Sequence, residues 1–335
     1  MLTAPSAPPR FEQTDLLSIQ DLSPYDVQEI FDTTRLLKSR PEMYRSALAG
    51  KQFVLMFEKP SLRTRVTFEV GINRLGGQAM FMESPGGIEA REKIADVAKN
   101  LERWVDGVIL RTFKHSTVTG MAAHASVPVI NALTDREHPC QALADYFTLQ
   151  EKFGDLKKIK LAFVGDGNNV AHSLMLTAAA LGSHIVVATP SGYEPAKDIF
   201  AAARKMAART GGSIEVTNDP KAAVAGVDAI YTDVWASMGQ EAEAGKREKL
   251  FRPFQVNAEL MSLAAPHAVF MHCLPAHRGS EVTDEVIDSA QSIVYDEAEN
   301  RMHVQNGILV LLYTPASRVP LVRKTNASVV RAARA

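Results

Sequence analysis

Two cysteines in 335 residues, Cys140 and Cys273, are too few and too far apart for a disulfide framework, and each is embedded in a polar motif. That usage fits a reducing compartment. No apolar run approaches the ~20 residues needed to span a bilayer. The first dozen residues are rich in proline and lack the basic cluster and following apolar stretch of a signal peptide. Charge of either sign is also not in excess: 37 Lys and Arg stand against 38 Asp and Glu, so no global basic field draws the chain to nucleic acid or anionic lipid. Any anion site must be local. These absences predict a cytoplasmic enzyme without a nucleic-acid or membrane partner.

The chain is 46% hydrophobic and 22% charged, and its length exceeds the usual single core, so two domains of roughly 150 residues each are expected. Ser23-Pro24 caps and opens a helix carrying Val27, Ile30, Phe31 and Leu37 on one side. Strand-like runs follow at 53–57, 79–82, 107–110 and 128–131, with helical patterns between them. After Gly154-Asp155 a second series begins, with strands expected at 159–164, 184–188, 213–216, 229–232, 268–271 and 292–295. Such alternation predicts an α/β chain of two open parallel sheets covered by helices. The boundary falls in or just beyond the helix from about His138 to Phe153, giving domains at 1–150 and 151–312. A last helix at about 296–312 and an alanine-rich tail follow.

The most informative stretch is Ser61-Leu62-Arg63-Thr64-Arg65, which puts two guanidiniums and two hydroxyls where a buried strand turns into a helix. Free N–H groups and the positive end of the helix dipole suit a phosphate there, and Arg adds planar bidentate donors. Taken alone, the segment is equally well an ordinary capped helix with solvated arginines. Ligands of open α/β sheets bind outside the carboxyl ends of the strands. Applied to the first half, that rule also collects Arg111-Thr112 and His138-Pro139-Cys140-Gln141. Singly, Arg111 reads as a surface ion pair and His138 as a satisfied helix start; three polar sets at one sheet edge make coincidence a poorer account. They would hold a phosphate through Ser61, Arg63, Thr64 and Arg111, leaving His138 and Gln141 for a neighbouring carbonyl or amide.

Gly165-Asp166-Gly167-Asn168-Asn169 superficially resembles a dinucleotide fingerprint, so a nicotinamide enzyme is a competing function. Val170 replaces the third glycine, and the strand at 184–188 ends in Thr189-Pro190, where a ribose-binding acid is wanted. Asn168 and Asn169 are therefore read as amides for a small polar ligand. Asp233 follows another strand and would meet a substrate ammonium. His272-Cys273 lacks the second Cys/His pair of a zinc site, so no metal and no cofactor are expected, and Cys273 is read as a polar site liner.

Together these segments resemble the aspartate/ornithine carbamoyltransferase family over residues 16–312. The marks, in family order, are F-E-K-P-S-L-R-T-R from Phe57, R-T-F from Arg111, H-P-C-Q from His138, G-D-G-N-N-V from Gly165, D-V-W-A-S-M-G from Asp233, H-C-L-P from His272 and E-N-R-M-H from Glu299. The resemblance implies that carbamoyl phosphate meets Ser61, Leu62, Arg63, Thr64, Arg111, His138, Gln141, Cys273, Leu274 and Arg301. L-Ornithine would meet Asn169, Asp233, Ser237 and Met238. It further implies a homotrimer with sites at subunit boundaries, a cis Leu274-Pro275 bond, and a C-terminal helix at about 313–335 returning to the first domain. The implied reaction moves the carbamoyl group to the side-chain amine of ornithine, giving citrulline and phosphate for arginine biosynthesis.

In that chemistry Arg63, Thr64, Arg111 and His138 would stabilise the developing oxyanion, and Cys273 would orient the amine or accept its proton. Two positions depart from the family pattern: Leu62 replaces a Thr, and Gly87 stands where a Gln from the adjacent subunit is usual, with Arg91 or Glu92 as candidates for part of its role. The departures keep an N-acylated ornithine as an alternative acceptor and a non-catalytic binding protein as a more distant one.

Overall fold

A computed structural model of the chain describes residues 11–236 and 243–313. The first half runs through α1 (Pro24–Ser39), β1 (Gln52–Phe57), α2 (Leu62–Arg74), β2 (Gln78–Glu83), α3 (Ile94–Leu101), β3 (Gly107–Arg111), α4 (His115–His124), β4 (Val129–Leu133) and α5 (Pro139–Phe153). The second continues with β5 (Lys160–Val164), α6 (Asn169–Leu181), β6 (His184–Ala188), α7 (Lys197–Thr210), β7 (Ser213–Thr217), α8 (Pro220–Val224) and β8 (Ala229–Thr232). It ends with α9 (Ala244–Phe251), α10 (Ala258–Met261), β9 (Val269–His272), α11 (Asp284–Ile287) and α12 (Val294–Tyr313).

The strands form two parallel sheets, in the orders β2-β1-β3-β4 and β7-β6-β5-β8-β9. Strands β1 and β3 are covered on both faces and buried almost throughout, which is why QFVLMF and GVILR read as continuous apolar runs rather than alternating ones. Strand order reverses between β1 and β3 in one sheet and between β5 and β8 in the other. Those switch points open crevices at the carboxyl ends of the strands. The connections after β1, β3, β5 and β8 and the helix starts they lead into carry Ser61 to Arg65, Thr112, Asp166 to Asn169 and Asp233, with Arg111 as the last residue of β3.

Three of the loops on the first side are tied by one side chain. Glu58, just past β1, accepts the Ile88 N–H at 2.8 Å and the Phe113 N–H at 2.7 Å. A carboxylate with two backbone donors at this spot fixes the loops around the arginines without neutralising them. Ser23 and Asp26 form a reciprocal capping box that starts α1.

The expected strand at 292–295 is not one. Ser292 makes only an isolated bridge to Phe270, and the Glu297 N–H bonds the Ile293 carbonyl at 3.0 Å, so the chain is already entering α12. Asp296 and Glu297 in its first turn favour a helix start over a strand end. Helix α12 packs against α1, α2 and α5, layering on the first sheet's helices although it follows the second sheet in sequence. Gly307 permits this: a Cβ there would lie 2.5 Å from Thr34 Oγ1. The helix expected at about 313–335 lies outside the described residues beyond Tyr313.

Candidate active site

Ser61 is the N-cap of α2, its Oγ accepting the Thr64 N–H at 3.2 Å. Leu62 and Arg63 are the first helical residues, so their N–H groups lack intrahelical acceptors and face the crevice, while the Leu62 side chain points outward, 73% exposed. Arg63 reaches the other half of the molecule, donating Nε–H to the Leu274 carbonyl at 3.1 Å. Thr64 is buried and its hydroxyl accepts from Arg301 Nη2 at 2.9 Å. His138 caps α5, donating its backbone N–H to Ser173 Oγ at 2.8 Å, and its Nδ1 has no partner. One turn on, Gln141 accepts from Arg301 Nη1 through Oε1 in a close contact.

Arg63, Arg111 and Arg301 converge here, and among the described residues none has a carboxylate within ion-pairing distance. Arg111 is buried, and its Nε lacks any acceptor. Burial, then the charges of Arg301 and Arg63, push the Arg111 guanidinium down to about 10. Burial also lowers Arg63 and Arg301. Desolvation and the Arg301 and Arg111 charges hold His138 well below the ordinary imidazole range, so it is neutral at physiological pH. Such a set of cations with an unpartnered neutral imidazole calls for an anion next to a polar uncharged group.

Across the crevice, the glycine-containing turn after β5 does not fit a dinucleotide. Gly167 packs against the loop after β6, donating to the Tyr193 carbonyl at 2.9 Å; a Cβ there would sit 2.5 Å from that oxygen. The first amides of α6 are already capped, because Asn168 Oδ1 accepts from the Val170 and Ala171 N–H groups at 2.9 and 3.2 Å. Asn168 Nδ2 donates to Asp233 Oδ2 at 2.9 Å, and Asn169 Nδ2 crosses to the Thr134 carbonyl at 2.6 Å. Asp233 Oδ1 accepts from Cys273 Sγ at 3.2 Å and from the Val234 N–H at 2.8 Å. Burial and the neighbouring Asp233 push the Cys273 thiol well up, so it is the neutral S–H donor in that contact.

Asp233, His272 and Cys273 bring three ligand atoms within 4.8 Å of one another, the one grouping among the described residues that could hold a metal ion. Both ring nitrogens of His272 are already engaged. Nδ1 accepts the Leu274 N–H at 2.8 Å, which leaves Nε2 to donate to Glu281 Oε1 at 3.2 Å. With the imidazole committed, the remaining pair of ligands is short of a tetrahedral set.

All ten residues assigned to carbamoyl phosphate line one cavity of about 1190 Å³, together with Asn169 and Asp233. Ser237 and Met238 lie outside the described residues. Gly87, with φ at 94°, closes a turn onto Ser84, and Arg91 and Glu92 are exposed and off the cavity lining. The Leu274-Pro275 bond is cis. Sequence reading passed over Arg247, which lines the cavity and binds Asp166 Oδ2 at 2.7 Å and the Trp235 carbonyl at 2.8 Å. It also passed over Asp145 and Glu297 behind Gln141. The available signal was spacing: Gln141 with Asp145, and Glu297 with Arg301, stand four apart on helices, one face each.

Two family descriptions match the chain. The carbamoyl-P binding domain of aspartate/ornithine carbamoyltransferase matches residues 14–151, and the Asp/Orn binding domain matches residues 157–312. An ornithine carbamoyltransferase of Pyrococcus abyssi is 52% identical over 301 residues, covering 89% of this chain and 95% of the relative. The solved structure of ornithine carbamoyltransferase from Pyrococcus furiosus superposes with a TM-score of 0.87 at 51% identity, covering 89% of this chain and 96% of that one. An acetylornithine transcarbamylase complexed with acetylcitrulline superposes at 0.81 with 32% identity, over 90% of this chain and 99% of that one. With both halves matched in order and the crevice between them built as described, the chain belongs to the aspartate/ornithine carbamoyltransferase family.

Proposed function

We propose that the protein transfers the carbamoyl group of carbamoyl phosphate to the side-chain amine of L-ornithine, giving L-citrulline and phosphate. The observation that carries this is the division of one cavity into two opposite halves. On one side are arginines with no carboxylate partner. On the other is Asp233, whose oxygens accept, among the described residues, from the neutral donors Asn168, Cys273 and Val234.

The phosphate would sit on the start of α2, held by the Ser61 and Thr64 hydroxyls, the Leu62 and Arg63 amides, and the Arg63 and Arg111 guanidiniums. The carbamoyl oxygen would then meet neutral His138, Thr64 and Arg111. These donors stabilise the oxyanion as the amine attacks carbon, an effect worth about 3 kcal/mol per donor. The amine, like that of Lys, titrates near ~10.4 and must lose its proton. The surrounding cations and desolvation lower that value, and the departing phosphate, whose oxygen is freed as its bond to carbon breaks, takes up the proton and leaves as the hydrogen phosphate dianion. As a thiol, Cys273 orients the amine rather than taking its proton. Gln141 and Arg301 close the carbamoyl end, Asp233 holds the α-ammonium, and Asn169, Ser237 and Met238 complete the amino-acid site.

Two observations favour free ornithine over an N-acylated acceptor. An unneutralised Asp233 selects a charged α-ammonium, which an acylated nitrogen lacks. The relative from Pyrococcus abyssi named for ornithine is also 52% identical to the chain, against 32% for the acetylornithine enzyme. The same reading makes the protein a cytoplasmic, arginine-biosynthetic homotrimer. Leu62, Val66, Met80 and Met82 form exposed apolar surface beside the site and on edge strand β2, which a neighbouring copy would cover. Light scattering should give three times the 36.6 kDa chain mass; a monomer would refute the assembly. The function itself requires citrulline and phosphate to appear in equal amounts only when both substrates are present. Phosphate release without citrulline would contradict it.

A further inference from the structure

Glu137, just before His138, is a buried acid to which the chemistry above gives no role. It is 0% exposed, and among the described residues no Lys or Arg pairs with it. A carboxyl withdrawn from water without a counter-ion costs stability unless hydrogen bonds replace the lost hydration. Here three donors do so. Oε1 is in close contact with the Ser18 hydroxyl, and Oε2 accepts the Ile19 N–H at 3.0 Å and the Ser173 hydroxyl at 3.2 Å. Burial raises this carboxyl, and the same three donors pull it part of the way back. Ser18 and Ile19 belong to the short helical turn that precedes α1, so the carboxyl also ties down the start of the chain.

Ser173 is the link to the site. It lies on α6 in the second half of the molecule, is 0% exposed, and its Oγ accepts the His138 N–H at 2.8 Å. A backbone N–H can only donate, so the proton of the serine itself is left for Glu137 Oε2. Two further contacts lace the same loop to the same helix. Asn169 Nδ2 donates to the Thr134 carbonyl at 2.6 Å, and His172 Nδ1 donates to the Arg136 carbonyl at 2.8 Å. The His138 imidazole lines the cavity with its Nδ1 unpartnered, and it is presented from a backbone fixed at its N–H. We propose that Ser173 and Glu137 are positioning residues for His138: Glu137 Oε2 holds the Ser173 hydroxyl so that its lone pair meets the His138 N–H, and the helix that carries Asn169 thereby sets the direction in which the imidazole meets the carbamoyl group. The amino-acid half of the cavity thus aims a donor of the carbamoyl half.

The kinetic side of this rests on the carbamoyl transfer reading, while the anchor itself does not. The test uses the full chain with Ser173→Ala, Glu137→Met and Glu137→Gln, each made in the wild type and in His138→Ala, which keeps the backbone N–H and removes the ring. Ser173→Ala should lower kcat about tenfold and move the carbamoyl phosphate KM less than about threefold, because other residues hold the phosphate end. Over His138→Ala the same change should cost less than about twofold. Glu137→Met should repeat both results. Glu137→Gln should stay within about threefold of wild type, since its amide oxygen can still take the Ile19 N–H and the Ser173 hydroxyl while its NH2 turns to Ser18 Oγ. A loss from Ser173→Ala as large without the His138 ring as with it would overturn the proposal, and so would a Glu137→Gln as damaging as Glu137→Met. Should Ser173→Ala fail to fold, the two Glu137 variants decide. Amide hydrogen exchange without substrate is the second readout: the His138 N–H should exchange at least about tenfold faster in Ser173→Ala than in wild type. Equal rates would show that Oγ does not hold it. If the wild type transfers no carbamoyl group, the functional reading fails, and the exchange rates by themselves confirm or overturn the anchor.

Discussion

Arg63 on α2 donates its Nε–H to the carbonyl of Leu274, 3.1 Å away and 211 residues later in the chain. The guanidinium that faces the phosphate site from one half of the molecule is thus aimed by the backbone of the other half. Its position depends on the turn after β9, and so on the relation of the two sheets.

Arg63→Ala should act mainly on turnover. The charge it removes is needed most as the oxyanion and the leaving phosphate develop, so kcat should drop by about 10²–10³. Steady-state kinetics with both substrates varied checks this. A change confined to the carbamoyl phosphate KM would mean that Arg63 only binds.

Asp233→Asn should act on the amino acid. The amide keeps the shape and, with its oxygen toward Cys273 and the Val234 N–H, gives up only the bond from Asn168 Nδ2, but it no longer pairs with an α-ammonium. The ornithine KM should rise about 10- to 100-fold while kcat changes only a few-fold, consistent with loss of a charge-assisted hydrogen bond. Equal effects on both parameters would contradict this division of roles.

His272 gives a geometric test of the turn that holds Arg63. Its Nδ1 accepts the Leu274 N–H at 2.8 Å. An asparagine oxygen falls near the Nδ1 position, whereas a glutamine amide falls near Nε2 and leaves the Leu274 N–H unmet. His272→Asn should therefore keep kcat/KM for carbamoyl phosphate within about tenfold of wild type, and His272→Gln should lose about ten times more. The reverse order would show that Nδ1 does not set the turn.

These contacts show what was and was not legible in the sequence. Arg63, Arg111, His138, Asp233 and Cys273 could be placed because strand ends are readable from buried apolar runs such as QFVLMF, and parallel sheets collect their strand ends on one side, whereas Arg301, inside α12, was reached only through the family resemblance. Asp145 and Glu297 could not, since a carboxylate on a helix usually faces water, and only the packing of α12 on α5 buries them. The start of α12 was misread because Ser292-Ile293-Val294-Tyr295 has strand composition, which the helical backbone from Ile293 onward overrides. Asn168 was expected to face a ligand; its oxygen instead caps α6, and only its amide nitrogen reaches toward the site, through Asp233.

His172 should make stability depend on pH. Its Nδ1 donates to the Arg136 carbonyl at 2.8 Å and its Nε2 accepts the Ala196 N–H at 2.9 Å, a pattern open only to the neutral ring. Burial lowers its pKa in the folded state. The unfolded chain therefore takes up a proton below about 6.5 that the folded chain refuses, so the stabilisation is complete above about 6.5 and is lost as pH falls from there through the folded-state value. His172→Gln should lower Tm more at pH 8 than at pH 5.5, and calorimetry at the two values checks it. A gap that widens on acidification would reverse the sign.

The most direct measurement is citrulline-type product formation from carbamoyl phosphate with L-ornithine, run beside N-acetylornithine, N-succinylornithine, putrescine and L-aspartate. The division of the cavity into Arg63, Arg111 and Arg301, without a carboxylate partner, and Asp233, without a cationic one among the described residues, predicts turnover with L-ornithine and kcat/KM values at least about 100-fold lower for every other acceptor. Preference for an N-acylated amine, or no product with any of the five, would contradict the assignment.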